Sequence, residues 1–113
     1  MKTQVHEKNG ITILKPNGKI MGNSVSEFKK TISPQIEASN KPRILINLEG
    51  VDKMDSSGLG VLIGAYVAAT QKQGRIGIIH VGKNIKNLIV ISRLVRLFEH
   101  FDTEEAALSA LAA

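Results

Sequence analysis

The sequence predicts an α/β domain: a mixed sheet of four to five strands, opened by an antiparallel hairpin and accompanied by about four helices. Three observations carry this reading. Asn9-Gly10 separates two short strand-like runs; Arg43 to Leu48 and Arg75 to Val81 are β-branched-rich, with the composition of strands buried on both faces; and helical patterns fall between them. Strands that alternate with helices must return to one sheet by crossovers, which makes the pairing after the hairpin parallel. At 113 residues, with no internal repeat or linker, the chain is expected to form one domain over residues 1–113.

The elements follow in order. Residues around Val5 and the run Ile11-Thr12-Ile13-Leu14 form the hairpin, and Asn-Gly suits its type I′ turn because both central residues need positive φ. Ser24 is the expected cap of the first helix, with Glu27 reaching back in a capping box and Val25, Phe28, Ile32 and Ile36 as the apolar stripe. Pro34 predicts a kink or break near Ser33, since it lacks a backbone donor and clashes with the preceding turn. After the strand from Arg43 comes a helix from Ser57 to Lys72, then the strand from Arg75 and a short helix marked by Ile85, Leu88 and Ile89. Leu97 to Phe101 reads as an edge strand, and Thr103 with the acidic Glu104 and Glu105 opens an alanine-rich terminal helix.

Composition excludes more than it selects. With no cysteine there is no disulfide framework and no thiolate chemistry. No apolar run approaches the ~20 residues that span a bilayer, and the first residues lack a signal peptide's apolar segment, so a cytoplasmic protein without a membrane role is expected. The formal charge of +5 is scattered, and four aromatic residues are too few for a base-stacking platform, so it reads as solvation and not as nucleic-acid binding. His6, His80 and His100 lack the paired spacing of a metal site. Gly58, Gly60 and Gly64 miss the dinucleotide-loop spacing by one, and no nucleophile elbow surrounds Ser56 or Ser57. Neither catalysis nor a cofactor is expected.

Information concentrates between Asp55 and Lys72, where no formal charge intervenes. Helical spacing puts Leu59, Leu62, Ile63, Tyr66 and Thr70 on one face, and Gly60, Val61, Gly64, Ala65 and Ala68 on much of the other. One face meets the sheet; the small-residue face is either closely packed or presented to a partner. Ser56, at the helix start, is either a plain N-cap or an exposed phosphate acceptor.

Met54-Asp55-Ser56-Ser57-Gly58-Leu59-Gly60-Val61, preceded by the strand Ile44 to Leu48 and followed by a strand and the Ile85-Lys86-Asn87-Leu88 helix, resembles the bacterial anti-sigma-factor antagonists of the STAS-domain family. In element order the likeness covers almost the whole chain. It implies a STAS-like domain with no enzymatic activity that captures a serine-kinase anti-sigma factor and frees a sigma factor. The serine after the aspartate, here Ser56, is then phosphorylated by that kinase, which releases the complex, and a PP2C-type phosphatase restores it. The partner surface implied by the likeness comprises Asp55, Ser57, Gly58, Leu59, Gly60, Val61 and Gly64. The resemblance departs at Gly18-Lys19-Ile20-Met21, where family members often carry Gly-Glu-Leu-Asp. A second reading is a STAS interaction module within a larger signalling or transport-accessory assembly. A third, a small-ligand or nucleotide domain, rests on the glycines alone.

Overall fold

The computed structural model describes residues 2–91 and 98–112. Its elements are β1 (Lys2–Lys8), β2 (Ile11–Ile20), α1 (Asn23–Glu37), β3 (Arg43–Asn47), β4 (Val51–Met54), α2 (Ser56–Gln71), β5 (Arg75–Ile79), α3 (Lys83–Ile91), β6 (Glu99–Phe101) and α4 (Glu104–Ala112). The sheet runs β1-β2-β3-β5-β6, antiparallel only between β1 and β2, with β4 paired to β2 off that path. The hairpin turns at Asn9 (φ 56°) and Gly10 (φ 78°), as a type I′ turn requires.

Strand alternation divides the core. Leu14 and Ile20 of β2, Ile44 and Ile46 of β3, and Ile76 and Ile78 of β5 pack with Phe28, Ile32, Leu59 and Leu62 from α1 and α2. Ile11, Ile13, Leu45 and Ile79 point the other way and meet Ala107, Leu108 and Leu111 of α4. Burial on both faces explains why these strands read as continuous apolar runs.

Three expectations need correction. The sheet has six strands, one more than the upper end of the expected range: Val51–Met54 forms β4, although Asp52 and Lys53 interrupt its apolar pattern. β2 accommodates this strand by running on to Ile20. Its first half pairs with β3 at residues 12–14 and its far end with β4 at Gly18 and Ile20. Pro16 falls in the gap between these pairings, where its missing N–H interrupts no parallel ladder. Second, α1 begins at Asn23 behind Gly22, which makes no side-chain cap, so Ser24 lies inside the helix and not at its cap. Third, of the kink or break expected at Pro34 the break does not occur, and α1 continues to Glu37. Proline removes one bond only, and buried Phe28 and Ile32 before it and Ile36 after it hold both sides on the core. The predicted last strand survives as β6, while its starting residue, Leu97, lies outside the described residues.

Polar contacts fix the elements at two places in the fold. Arg75 donates from Nε to Glu99 Oε2 (3.0 Å) and from its guanidinium to the Ala110 carbonyl (2.5 Å), joining β5, β6 and α4. The hydrogen-bonded Glu99 carboxylate raises the pKa of that guanidinium further, so it stays charged throughout the neutral range. At the other end, α2 closes in a Schellman turn: Gly74 N–H donates to Ala69 O (2.7 Å) and Gln73 N–H to Thr70 O (2.9 Å), with Gln73 at φ 60°. Lys72, at its cap, donates from Nζ to the carbonyls of Ile36 (3.2 Å), Glu37 (3.2 Å) and Ser39 (3.1 Å), covering the C-terminal end of α1 with a cation. Lys72→Met keeps the stem and removes these bonds. It is expected to lower stability by about 1–2 kcal/mol in denaturant titration.

Candidate functional site

The site is built on the end of β2. Ile20 pairs with Met54, and as the chain leaves β4 the Asp55 N–H donates to the Ile20 carbonyl at 3.4 Å. Asp55 is extended (φ −100°, ψ −178°), its Oδ1 accepts from Gly58 N–H at 2.8 Å, and its carbonyl accepts from Leu59 N–H at 3.0 Å. These are the marks of an N-cap. The cap is therefore Asp55 and not Ser56, and α2 starts one residue earlier than predicted. Asp55→Ala is expected to cost about 1 kcal/mol, read as a lower unfolding midpoint.

With the cap supplied by its neighbour, Ser56 occupies the first helical position and Ser57 the second, and both are exposed. Among the described residues neither hydroxyl has a hydrogen-bond partner. The first-turn N–H groups and the positive end of the helix dipole lie beneath them, a setting that tolerates an anion.

The remaining residues of the expected surface divide. Gly58 and Leu59, which the likeness includes in the partner surface, are buried in the free chain. A Cβ at Gly58 would come within 2.6 Å of the Ile20 carbonyl oxygen, 2.8 Å of Ile20 Cγ2 and 2.8 Å of Met54 Cγ, so glycine there lets α2 seat against β2 and β4. Gly60 and Gly64 are exposed, and a Cβ at either would meet nothing within 4 Å. Val61 is half-buried and packs on the core. Val67, at 46% exposure, continues the outward line one turn past Gly64, giving a stripe of Gly60, Gly64 and Val67. Ala65, assigned by spacing to the outer face, is buried; Thr70, assigned to the inner face, is exposed, and its hydroxyl donates to the Tyr66 carbonyl at 2.8 Å. A helix with apolar or small residues all round carries no periodic signal to orient it.

Beside the stripe, α1 and α2 leave a groove of about 300 Å³ bordered by Lys29, Ile32, Ile36, Gly64 and Ala68. Elsewhere, the ends of β5 and β6 bring His80 and His100 to one crevice of about 220 Å³ with Lys86 and Asp102, while His6 stands apart in β1. No group of three metal-ligating side chains occurs among the described residues, and no helix among them is long and apolar enough to cross a membrane. Ile20 is the site residue that sequence reasoning overlooked. Its role is carried by a backbone carbonyl, which leaves no mark in side-chain pattern.

Comparison with known proteins bears on this geometry. The sequence profile of the STAS domain matches residues 2–107. The chain is 25% identical over 111 residues to the anti-sigma F factor antagonist of Paenibacillus polymyxa, covering 98% of this chain and 95% of that protein. It is 31% identical over 81 residues to the anti-sigma-B factor antagonist of Staphylococcus aureus, covering 72% and 74% respectively. Among solved structures, an anti-sigma factor antagonist from Mycobacterium paratuberculosis superposes with a TM-score of 0.87 at 22% identity, over 99% of this chain and 94% of that one. The Bacillus cell fate determinant SpoIIAA in its phosphorylated form gives 0.73 at 21% identity, over 96% and 98%.

Proposed function

The chain belongs to the STAS domain family of anti-sigma factor antagonists, and on that premise we propose that it captures an anti-sigma factor when unphosphorylated and releases it when Ser56 is phosphorylated. Members of this family are non-enzymatic regulatory binding proteins. The anti-sigma factor is itself the serine kinase, its capture frees a sigma factor, and a PP2C-type phosphatase resets the switch. The contact surface is the first turn of α2 with Asp55, Ser56 and Ser57, extended over Gly60, Val61 and Gly64.

One observation carries the acceptor assignment. The Ser56 hydroxyl is exposed and without a partner among the described residues, because Asp55 supplies the helix cap. A serine needed as the cap would lose a structural bond on modification, whereas this one has none to lose. The existence of SpoIIAA, a chain of similar fold, in a phosphorylated form supports the same reading. Incubation with the kinase and ATP tests it: one phosphate is added to the native chain and none to Ser56→Ala, and a phosphate persisting on Ser56→Ala removes the assignment.

A further inference from the structure

We propose that the outer edge of β1 is a docking site for an extended acidic segment of another protein, which adds to the sheet as a further strand with its carboxylates opposite Lys2, His6 and Lys8. This surface uses no residue of the turn that carries Ser56 and goes beyond the function proposed above.

The sheet ends in two unlike strands. β6 closes one end with three residues, Glu99–Phe101, and offers little length for pairing. β1 closes the other with seven residues, in unbroken register with β2 from Lys2 opposite Asn17 to Lys8 opposite Ile11, and no described strand lies along its outer side. It carries neither a proline nor a bulge, two of the devices that blunt an edge. An antiparallel strand paired on one side directs the N–H and C=O of alternate residues to the other, which leaves a row of backbone donors and acceptors open to a further strand. Apart from half-buried Thr3, every residue of β1 is exposed, Val5 at 41%.

Charge selects the occupant. Residues directly opposite in an antiparallel pair share a face of the sheet. Lys2, Gln4, His6 and Lys8 stand opposite Asn17, Lys15, Ile13 and Ile11, and the last two pack under α4, so this row lies on the α4 side. Thr3, Val5 and Glu7 lie on the other side. The α4-side row has lysine at both ends and no acid of its own. Lys15 beside Gln4 adds a cation; the acids bordering the row are Glu49, 3.9 Å from Lys15, and Glu105, on the hollow next to Lys8. A second copy paired two-fold about Val5 over the whole strand would set Lys2 against Lys8 at both ends, which like-charge repulsion disfavours. A strand with carboxylates at alternate positions and an apolar residue opposite Val5 satisfies the lysines, the valine and the backbone together.

The test titrates the full chain with the end-blocked heptapeptide Glu-Thr-Glu-Val-Glu-Thr-Glu. Amide hydrogen exchange within residues 2–8 is expected to slow about tenfold at saturation, and affinity to fall between about 50 and about 300 mM salt. Proline in place of the peptide's central valine keeps the charge but breaks the strand, and is expected to weaken binding about tenfold or more. Lys2→Glu combined with Lys8→Glu is expected to do the same while the melting temperature stays that of the native chain, since both side chains are exposed. Three results overturn the proposal: no slowing of exchange in β1 at millimolar peptide, equal binding of the proline peptide, or self-association that protects β1 without peptide and gives the edge to a second copy. None of these measurements involves the kinase, so their failure leaves the Ser56 reading standing.

Discussion

Phosphorylation of Ser56 is expected to weaken anti-sigma factor binding about a hundredfold while leaving the fold intact, a difference of about 2.7 kcal/mol in binding free energy. The two halves of this expectation have separate physical causes. A phosphoserine carries about −1.5 to −2 charge at neutral pH. In the free chain that charge sits over the unpaired N–H groups and positive dipole end of α2 and remains in water, so it disturbs no existing bond. In the complex it must be desolvated next to Asp55, and one uncompensated interfacial charge suffices for a loss of this size. Titration calorimetry with phosphorylated and unphosphorylated chains measures the first half, and thermal melting of the same samples measures the second. A phosphorylated chain that binds as tightly as the unmodified one sinks the switch. One that loses its cooperative melting transition sinks the claim that the switch acts at the interface without refolding the domain. In the presence of kinase and ATP, Ser56→Ala should remain bound throughout, because the releasing modification cannot form.

Gly58→Ala is expected to destabilise the domain by about 3 kcal/mol, and Gly60→Ala, two positions along the same helix, to stabilise it by up to about 1 kcal/mol. The contrast is set by what surrounds each α-carbon. At Gly58 the nearest obstacle is the Ile20 backbone oxygen at 2.6 Å, which also receives the Asp55 N–H, so it cannot retreat without loosening the join between β2 and α2. At Gly60 the added methyl enters open space, and alanine's higher helix propensity is all that remains. For a domain of this size the Gly58→Ala loss corresponds to a fall in melting temperature of about 15 °C. Calorimetry of the two variants decides the matter: equal melting temperatures would show that Gly58 is not a packing position. Because the displaced helix turn carries Ser56, the Gly58 variant should also be phosphorylated more slowly than its remaining folded fraction accounts for.

These two glycines also show how far the motif Asp55-Ser56-Ser57-Gly58-Leu59-Gly60 speaks for itself. They stand two apart in the same apolar segment, yet one is a seat against the sheet and the other is open to solvent. Local sequence carries no information that separates them, because the difference lies in the position of Ile20, far away in the chain. The same holds for the cap. Asp55 and Ser56 are both good N-cap residues, and the choice falls to Asp55 because the β2–β4 pairing delivers the chain to the helix with Asp55 extended and bonded to Ile20.

What the sequence by itself determined was whatever depends on short-range pattern. The type I′ hairpin at Asn9-Gly10, the strands at Arg43 and Arg75, the alternation that makes the sheet parallel, and the helix beginning beside Ser56 follow from turn chemistry and apolar periodicity. Tertiary structure alone decided the features that depend on non-local partners. β4 is a strand because the end of β2 offers it a free edge, α1 survives Pro34 because the core holds both of its halves, and the face of α2 left open follows from where β2 and α1 pack. Backbone hydrogen bonds and steric fit at an α-carbon are indifferent to sequence distance. The residues that seat the turn carrying Ser56, Ile20 and Met54, are therefore assembled only when the sheet closes.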